Sequence, residues 1–198
     1  MSDTPDPIPA APVGGRPLPA ERAARVELVI LDVDGVLTDA GVYIGATASG
    51  EAVELKRFDI QDGLGMKFLQ WAGLEVVMVS GRVSKATELR AGELGIECHQ
   101  DAGARKLPVV REIMERAGVG WDRVAMLADD LPDMAVYRHV GLRAAVANAV
   151  PAIAELAHWQ SSRPGGSGAV REFCDALLDA RGDLAWVAEK YVAERSGT

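Results

Sequence analysis

The sequence predicts an α/β fold, a doubly wound and mainly parallel sheet with helices on both faces. Two observations predict it. From Val26 almost to the end, short apolar and often β-branched runs alternate with longer segments of helical spacing. Three of those runs end in polar residues, at Asp32 and Asp34, at Ser80-Gly81-Arg82 and at Asp129-Asp130. Parallel strands require crossover connections, and right-handed crossovers cover both faces of a sheet. With 198 residues, 48% hydrophobic and 25% charged, the chain is long enough for one hydrophobic core, expected over residues 26–195.

Residues 1–25 are rich in Pro, Ala and Gly without periodicity and are expected to be a flexible tail. The first strand spans Val26 to Leu31. Gly41 to Phe58 interrupts the alternation with two short strands around a turn, a projecting hairpin at about 41–58. A helix runs from Asp62 to Ala72 with Leu64, Phe68 and Trp71 on one face, and Gly73 ends it. Leu74 to Val79 is the next strand, followed by a helix that Ser84 can cap and Gly95 can stop. Ile96 to His99 is a short strand, and Lys106 to Ala117 a helix with Pro108 in its first turn. Val124 to Leu127 is a strand, Leu131 to His139 a helix, Leu142 to Ala147 a strand, and Pro151 opens a helix to about Ala157. The last helices start near Ala169 and Asp183.

Composition excludes several functions. Lys plus Arg total 21 against 29 Asp plus Glu, a net charge of -8 with no basic block, so nucleic acid is not an expected partner. No apolar run approaches the roughly 18 residues of a membrane helix. The acidic, proline-rich start lacks the basic and apolar regions of a secretory signal, which points to the cytoplasm. Cys98 and Cys174 form no CxxC pair and are read as buried thiols.

In open parallel sheets ligands bind beyond the carboxyl ends of the strands, where this chain collects its carboxylates. Residues i and i+2 of a strand share a side about 6.6 Å apart, so Asp32 and Asp34 can face one small site. Paired acids of this kind need a cation, and hard oxygen donors favour Mg²⁺, with Asp129 as the third ligand. A carboxylate beside Mg²⁺ is also a nucleophile already ionised at neutral pH, so Asp32 can attack phosphorus while Asp34 serves as acid and then base. Ser80, the Gly81 amide and Lys106 can donate to phosphate oxygens. A nucleotide-binding P-loop is excluded, since GxxxxGK[ST] is absent and Gly63-Leu64-Gly65 lacks a third glycine.

Asp32-Val33-Asp34-Gly35-Val36-Leu37-Thr38-Asp39 resembles the DxDGxxTD signature of the haloacid dehalogenase superfamily of phosphatases. Ser80, Lys106 and the acidic group Asp129, Asp130 and Asp133 match its later motifs in order. Within it, residues 27–183 resemble the 3-deoxy-D-manno-octulosonate 8-phosphate phosphatase family, through Gly50-Glu51, Leu55 to Phe58, Asp62 to Gly65, Gly81-Arg82 and Gly165 to Glu172. The resemblance implies a Rossmann-like domain without a separate cap, and a homotetramer closed by hairpins and neighbouring subunits. It implies hydrolysis of that sugar acid phosphate in lipopolysaccharide sugar synthesis through an aspartyl-phosphate. It further implies Mg²⁺ on Asp32, Asp129 and the Asp34 carbonyl, and substrate contacts from Asp59, Ile60, Gln61, Asp62, Gly63, Lys67, Arg82, Arg90 and Lys106. The chain departs from the family at Ala128, Ser80, Gln100 to Gly103 and Ser167, and its hairpin segment Gly45 to Glu54 is longer.

Plainer readings stand beside these. Asp130 and Asp133 can cap the Leu131 helix or orient Lys106 in place of chemistry. Arg82 and Arg90 suit solvated ion pairs as well as substrate contacts, and only the resemblance favours the latter. Gly165 to Gly168 is a flexible loop or, by resemblance, a lid. The three histidines, His99, His139 and His158, fall outside every motif. Two other functions remain open: a phosphatase for a nine-carbon keto sugar acid 9-phosphate, and a non-catalytic interaction module on the same fold.

Overall fold

The structure is a computed structural model that describes residues 17–196. The chain enters through a short helix, α1 (Ala20–Ala23), and then β1 (Leu28–Leu31), whose four apolar residues are all buried. A tight turn over Val33–Leu37 leads to the hairpin of β2 (Tyr43–Ala46) and β3 (Ala52–Leu55). α2 (Ile60–Trp71), β4 (Glu75–Ser80), α3 (Lys85–Leu94) and β5 (Glu97–Gln100) follow in alternation. α4 (Lys106–Ala117) carries the chain back to β6 (Val124–Ala128). The remaining elements are α5 (Met134–Tyr137), β7 (Leu142–Ala145), α6 (Pro151–Ala154), β8 (Trp159–Gln160), α7 (Ala169–Arg181) and α8 (Leu184–Ser196).

Six strands form one sheet in the order β5-β4-β1-β6-β7-β8, and every pairing is parallel. Because successive strand residues point to opposite faces, the sheet builds two cores. Val29, Leu31, Val76, Met78 and Leu127 meet α2 and α7 on one face. Leu28, Ile30, Val77, Val79 and Met126 meet α4 and α5 on the other. Burial on both sides explains the nearly continuous apolar runs. The winding reverses at β1: α2 leads away to β4, whereas β6 arrives on the opposite flank. The crevice between the carboxyl ends of β1 and β6 is therefore the place where such sheets bind ligands.

The hairpin is present and projects, paired from Tyr43 opposite Leu55 to Ala46 opposite Ala52. Other expectations need correction. Of the tail expected over residues 1–25, residues 1–16 lie outside the described part. Leu18, Ala23 and Val26 are buried against the core, and Arg181 Nη1 donates to the carbonyls of Ala23 and Val26, so the end of that segment is anchored. Three buried apolar side chains and one arginine suffice where composition alone argued for disorder. The helix expected from Leu131 to His139 is divided into a 3-10 turn over Leu131–Asp133 and α5, which stops at Tyr137. α6 ends at Ala154, and the chain then forms β8, too short to leave a periodic trace. Ser84 occupies the N-cap of α3 without making a side-chain capping bond. Cys174 is buried and Cys98 half-buried, both free.

Candidate active site

Asp32 follows β1 immediately and is 6% exposed. The next residues leave the strand, with Asp34 at φ -81° and ψ 101° and Gly35 at φ 103°. The i, i+2 strand geometry expected for Asp32 and Asp34 is thus replaced by a turn. Gly35 is required there twice over: its φ lies in the left-handed region, and a Cβ would collide with the Asp129 carboxylate. The turn is tied by Thr38, whose amide donates to the Val33 carbonyl at 3.0 Å and whose Oγ1 accepts from the Gly35 amide at 3.3 Å.

Lys106, at the first position of α4 and 3% exposed, donates through Nζ to Asp32 Oδ1 and, at 2.6 Å, to Asp133 Oδ1. Burial would lower the Lys106 pKa, but the charges of Asp32 and Asp133 outweigh it and push it to about 12, so the ammonium is permanent. Asp129 ends the β6 side of the crevice. Burial, reinforced by the nearby charges of Asp32 and Asp133, pushes its carboxyl up. Asp133 is pushed up as well, by burial and Asp32 against the opposing pull of Lys106. Carboxylate oxygens of Asp32, Asp129 and Asp133 lie within 4.8 Å of one another, and Asp129 Oδ1 is buried without a protein partner. Two of the three carboxylates share one lysine, and the third is left with an unsatisfied oxygen. That donor set fits a small hard cation such as Mg²⁺.

The Asp34 carboxylate is outside this trio. Its Oδ1 accepts from Lys56 Nζ at 2.6 Å, its Oδ2 accepts from Ser80 Oγ at 3.4 Å, and Arg82 Nη1 stands 3.7 Å from Oδ1. A side-chain metal role for Asp34 is therefore replaced by a place beside Ser80, which leaves its backbone carbonyl as the donor that the resemblance implies. Ser80 is held between the Arg82 amide and carbonyl. Asp32, Asp34, Gly81, Arg82, Lys106, Asp129, Asp130 and Asp133 line one cleft of about 250 Å³. Asp130 caps the Leu131 turn through the Leu131 amide at 2.7 Å, whereas Asp133 holds Lys106 and accepts from the Asp129 amide at 3.4 Å.

The remaining expected residues gather elsewhere. Ile60, Gln61, Gly63, Lys67 and Arg90 line a second cleft of about 420 Å³ with Arg171, Tyr191 and Arg195, and it shares no lining residue with the first. Asp59 caps α2 by accepting from the Gln61 amide at 2.8 Å. Asp62 is buried and accepts from the Arg171 amide of α7 at 2.8 Å, its Oδ2 without a partner; burial pushes its pKa to about 7. Arg90 pairs with Glu93 and Arg82 with Glu54, so both arginines make ion pairs in the isolated chain. The glycine-rich run is packed against the turn: the Gly166 amide donates to the Val36 carbonyl at 3.0 Å, and Asn148 Oδ1 accepts from the Gly165 amide at 2.9 Å. The histidines contact Glu97, Trp121 and Arg143, and none lines the carboxylate cleft. Lys56, Thr38 and Asn148 were not assigned as supporting residues from the sequence. Lys56 and Thr38 each had a signal, Lys56 in the family-like run Leu55 to Phe58 and Thr38 in the signature after β1, whereas Asn148 had none.

A turn of this form after a central parallel strand, with a lysine and a third acid across the crevice, defines a haloacid dehalogenase-type phosphatase site. A chain from Legionella pneumophila assigned to that superfamily, subfamily III A, superposes with a TM-score of 0.79 at 36% identity, covering 88% of this chain and 93% of its own. The chain belongs to the 3-deoxy-D-manno-octulosonate 8-phosphate phosphatase family. It is 40% identical over 163 residues to the Escherichia coli K12 phosphatase of that name, which covers 82% of this chain and 85% of the relative. The Moraxella catarrhalis phosphatase, solved in complex with magnesium ion, phosphate ion and KDO, matches with a TM-score of 0.79 at 30% identity over 87% of this chain and 97% of its own. No protein-family model matches the chain.

Proposed function

We propose that the protein hydrolyses 3-deoxy-D-manno-octulosonate 8-phosphate to 3-deoxy-D-manno-octulosonate and phosphate, a step of lipopolysaccharide sugar synthesis. The observation that carries this is the carboxylate cleft, with buried Asp32 gripped by Lys106 and faced by Asp129, in a chain 40% identical to the E. coli phosphatase for that ester. In the first step an Asp32 oxygen bonds to phosphorus as the bond from phosphorus to the sugar oxygen breaks, and Asp34 gives that oxygen its proton. In the second, Asp34 takes a proton from water, the water oxygen bonds to phosphorus, and phosphate leaves as the Asp32 carboxylate is restored. Ser80, the Gly81 amide and Lys106 donate to the non-bridging oxygens. Asp32, Asp129 and the Asp34 carbonyl hold Mg²⁺, which when bound offsets the charge of the phosphoryl oxygens. Asp130 and Asp133 support by capping and by orienting Lys106.

Arg82, Lys67 and Arg90, with Ile60, Gln61 and Gly63, bind the anionic sugar acid, and Asp59 and Asp62 shape the start of α2 beneath them. These groups divide between two clefts of one chain, which supports a homotetramer in which a neighbour completes the site. The exposed apolar side chains Val42, Ile44 and Leu55 on the hairpin give that assembly a contact. No helix among the described residues is long and apolar enough to cross a membrane. We read the protein as a cytoplasmic enzyme of one domain over residues 26–195.

Phosphate release from a panel of sugar phosphates, including the eight- and nine-carbon keto acid esters, tests the reading with Mg²⁺ and with chelator. The expected result is a preference for the octulosonate ester that chelator abolishes, and loss of turnover by at least about 10³-fold in Asp32→Asn. Undiminished turnover in Asp32→Asn would sink the aspartyl-phosphate, and equal rates across the panel would sink the substrate.

A further inference from the structure

Lys56 stands beside Asp34, outside the carboxylate trio. It follows β3, its side chain is 2% exposed, and its Nζ donates to Asp34 Oδ1 at 2.6 Å and to Thr87 Oγ1 of α3 at 3.2 Å. Thr87 is itself fully buried. An ammonium taken out of water costs several kcal/mol unless it is paired, and among the described residues Asp34 is the ion-pair partner of Lys56. This differs from the exposed pairs of the chain, which contribute little.

The geometry has a chemical consequence. An ammonium donates and never accepts. With Oδ1 filled by Lys56, Oδ2 is the oxygen of Asp34 left facing Ser80, at 3.4 Å. We infer that Lys56 is a positioning residue that, by occupying Oδ1, fixes the orientation of Asp34 and makes Oδ2 the oxygen that passes the proton to the leaving group. The inference rests on the reading of Asp34 as the acid. It also gives the hairpin a part in the chemistry, since Lys56 is anchored by β3 on one side and α3 on the other.

The test is a double-mutant cycle on phosphate release from 3-deoxy-D-manno-octulosonate 8-phosphate, with wild type, Lys56→Met, Asp34→Asn and the double variant. Partners that orient the ligands of a metal site are worth about 10–100-fold in activity, and Lys56 holds the Asp34 carboxylate in the same manner. Lys56→Met is expected to lower kcat by about that factor with KM within about twofold. In the Asp34→Asn background the same change is expected to cost less than about twofold, because the group through which Lys56 acts is gone. An unchanged kcat in Lys56→Met, or an equal loss in the two backgrounds, would overturn the role. Should Lys56→Met fail to fold, Thr87→Val removes one tether of Nζ and keeps the ion pair. A severalfold fall in kcat at constant KM and an unaltered melting temperature are then expected, and unaltered kcat overturns the inference. Wild-type protein that releases no phosphate from any ester would instead bring down the phosphatase reading itself, an outcome distinct from an active wild type indifferent to Lys56.

Discussion

Lys106 is the charge around which the site is built. Buried between Asp32 and Asp133, its single charge is shared by two of three clustered carboxylates and holds Asp32, the proposed nucleophile, in the crevice, and Asp129 Oδ1 is left without a protein partner. Asp62 shows the same physics away from the cleft. Burial raises its pKa from 3.8 to about 7, so the folded state holds the proton more tightly than the unfolded one. The stability this supplies is complete below pH 4 and is lost as pH rises through 7. Asp62→Asn keeps an acceptor for the Arg171 amide and carries no charge. Between pH 5 and pH 8 its stability is expected to gain on wild type by about 2 kcal/mol, read as the difference between the two denaturation curves. A constant difference would mean that Asp62 is ionised throughout.

Among the elements, the Val33–Leu37 turn and the glycine-rich run are one structural unit. Gly165 and Gly166 lie so close to the backbone of Gly35, Thr38 and Asp39 that a Cβ on either would strike it, and Asn148 and Arg57 pin the run through the Gly165 amide and the Gly166 carbonyl. In this chain the segment braces the turn that carries Asp34. Gly165→Ala is expected to cost about 1–3 kcal/mol and to lower kcat, as the collision pushes Gly35 out of place. Gly92→Ala, in α3 with open space around it, is the control and should raise stability by about 0.5–1 kcal/mol while leaving kcat unchanged. Denaturant unfolding and steady-state phosphate release on the two variants check this, and equal behaviour would refute the brace. The hairpin is tied to the same region by Arg82 with Glu54 and by Lys56 with Thr87, which couples its position to the cleft.

For the whole molecule, the division of the basic side chains is the main fact. Arg82 stands at the carboxylate cleft, whereas Lys67 and Arg90 stand in a cleft with a separate lining. The homotetramer we propose would join such surfaces across subunits, and the hairpin supplies exposed apolar area. Ile44 and Leu55 are 74% and 64% exposed. Replacing both by lysine should leave the fold intact, convert the proposed tetramer to smaller species in sedimentation, and lower activity with it. A wild-type protein that sediments as a monomer would overturn the assembly.

The α/β class, the order of strands and helices, the hairpin, and the set Asp32, Asp34, Ser80, Lys106 and Asp129 were legible in the sequence. Each depends on local periodicity or on residues that follow a strand, and such signals reside in short stretches of chain. Other features were not. The burial of Leu18 and Ala23, the two-residue β8, the pairing of Lys56 with Asp34 and the packing of Gly165 on Gly35 join residues from 22 to well over 100 positions apart, and no local pattern records such meetings. Residue type showed that carboxylates would collect at the strand ends. Only the tertiary structure decided that Asp133 joins Asp32 and Asp129 while Asp34 turns to Lys56, because the turn after β1 breaks the strand's alternation and packing, not spacing, then sets where each side chain points.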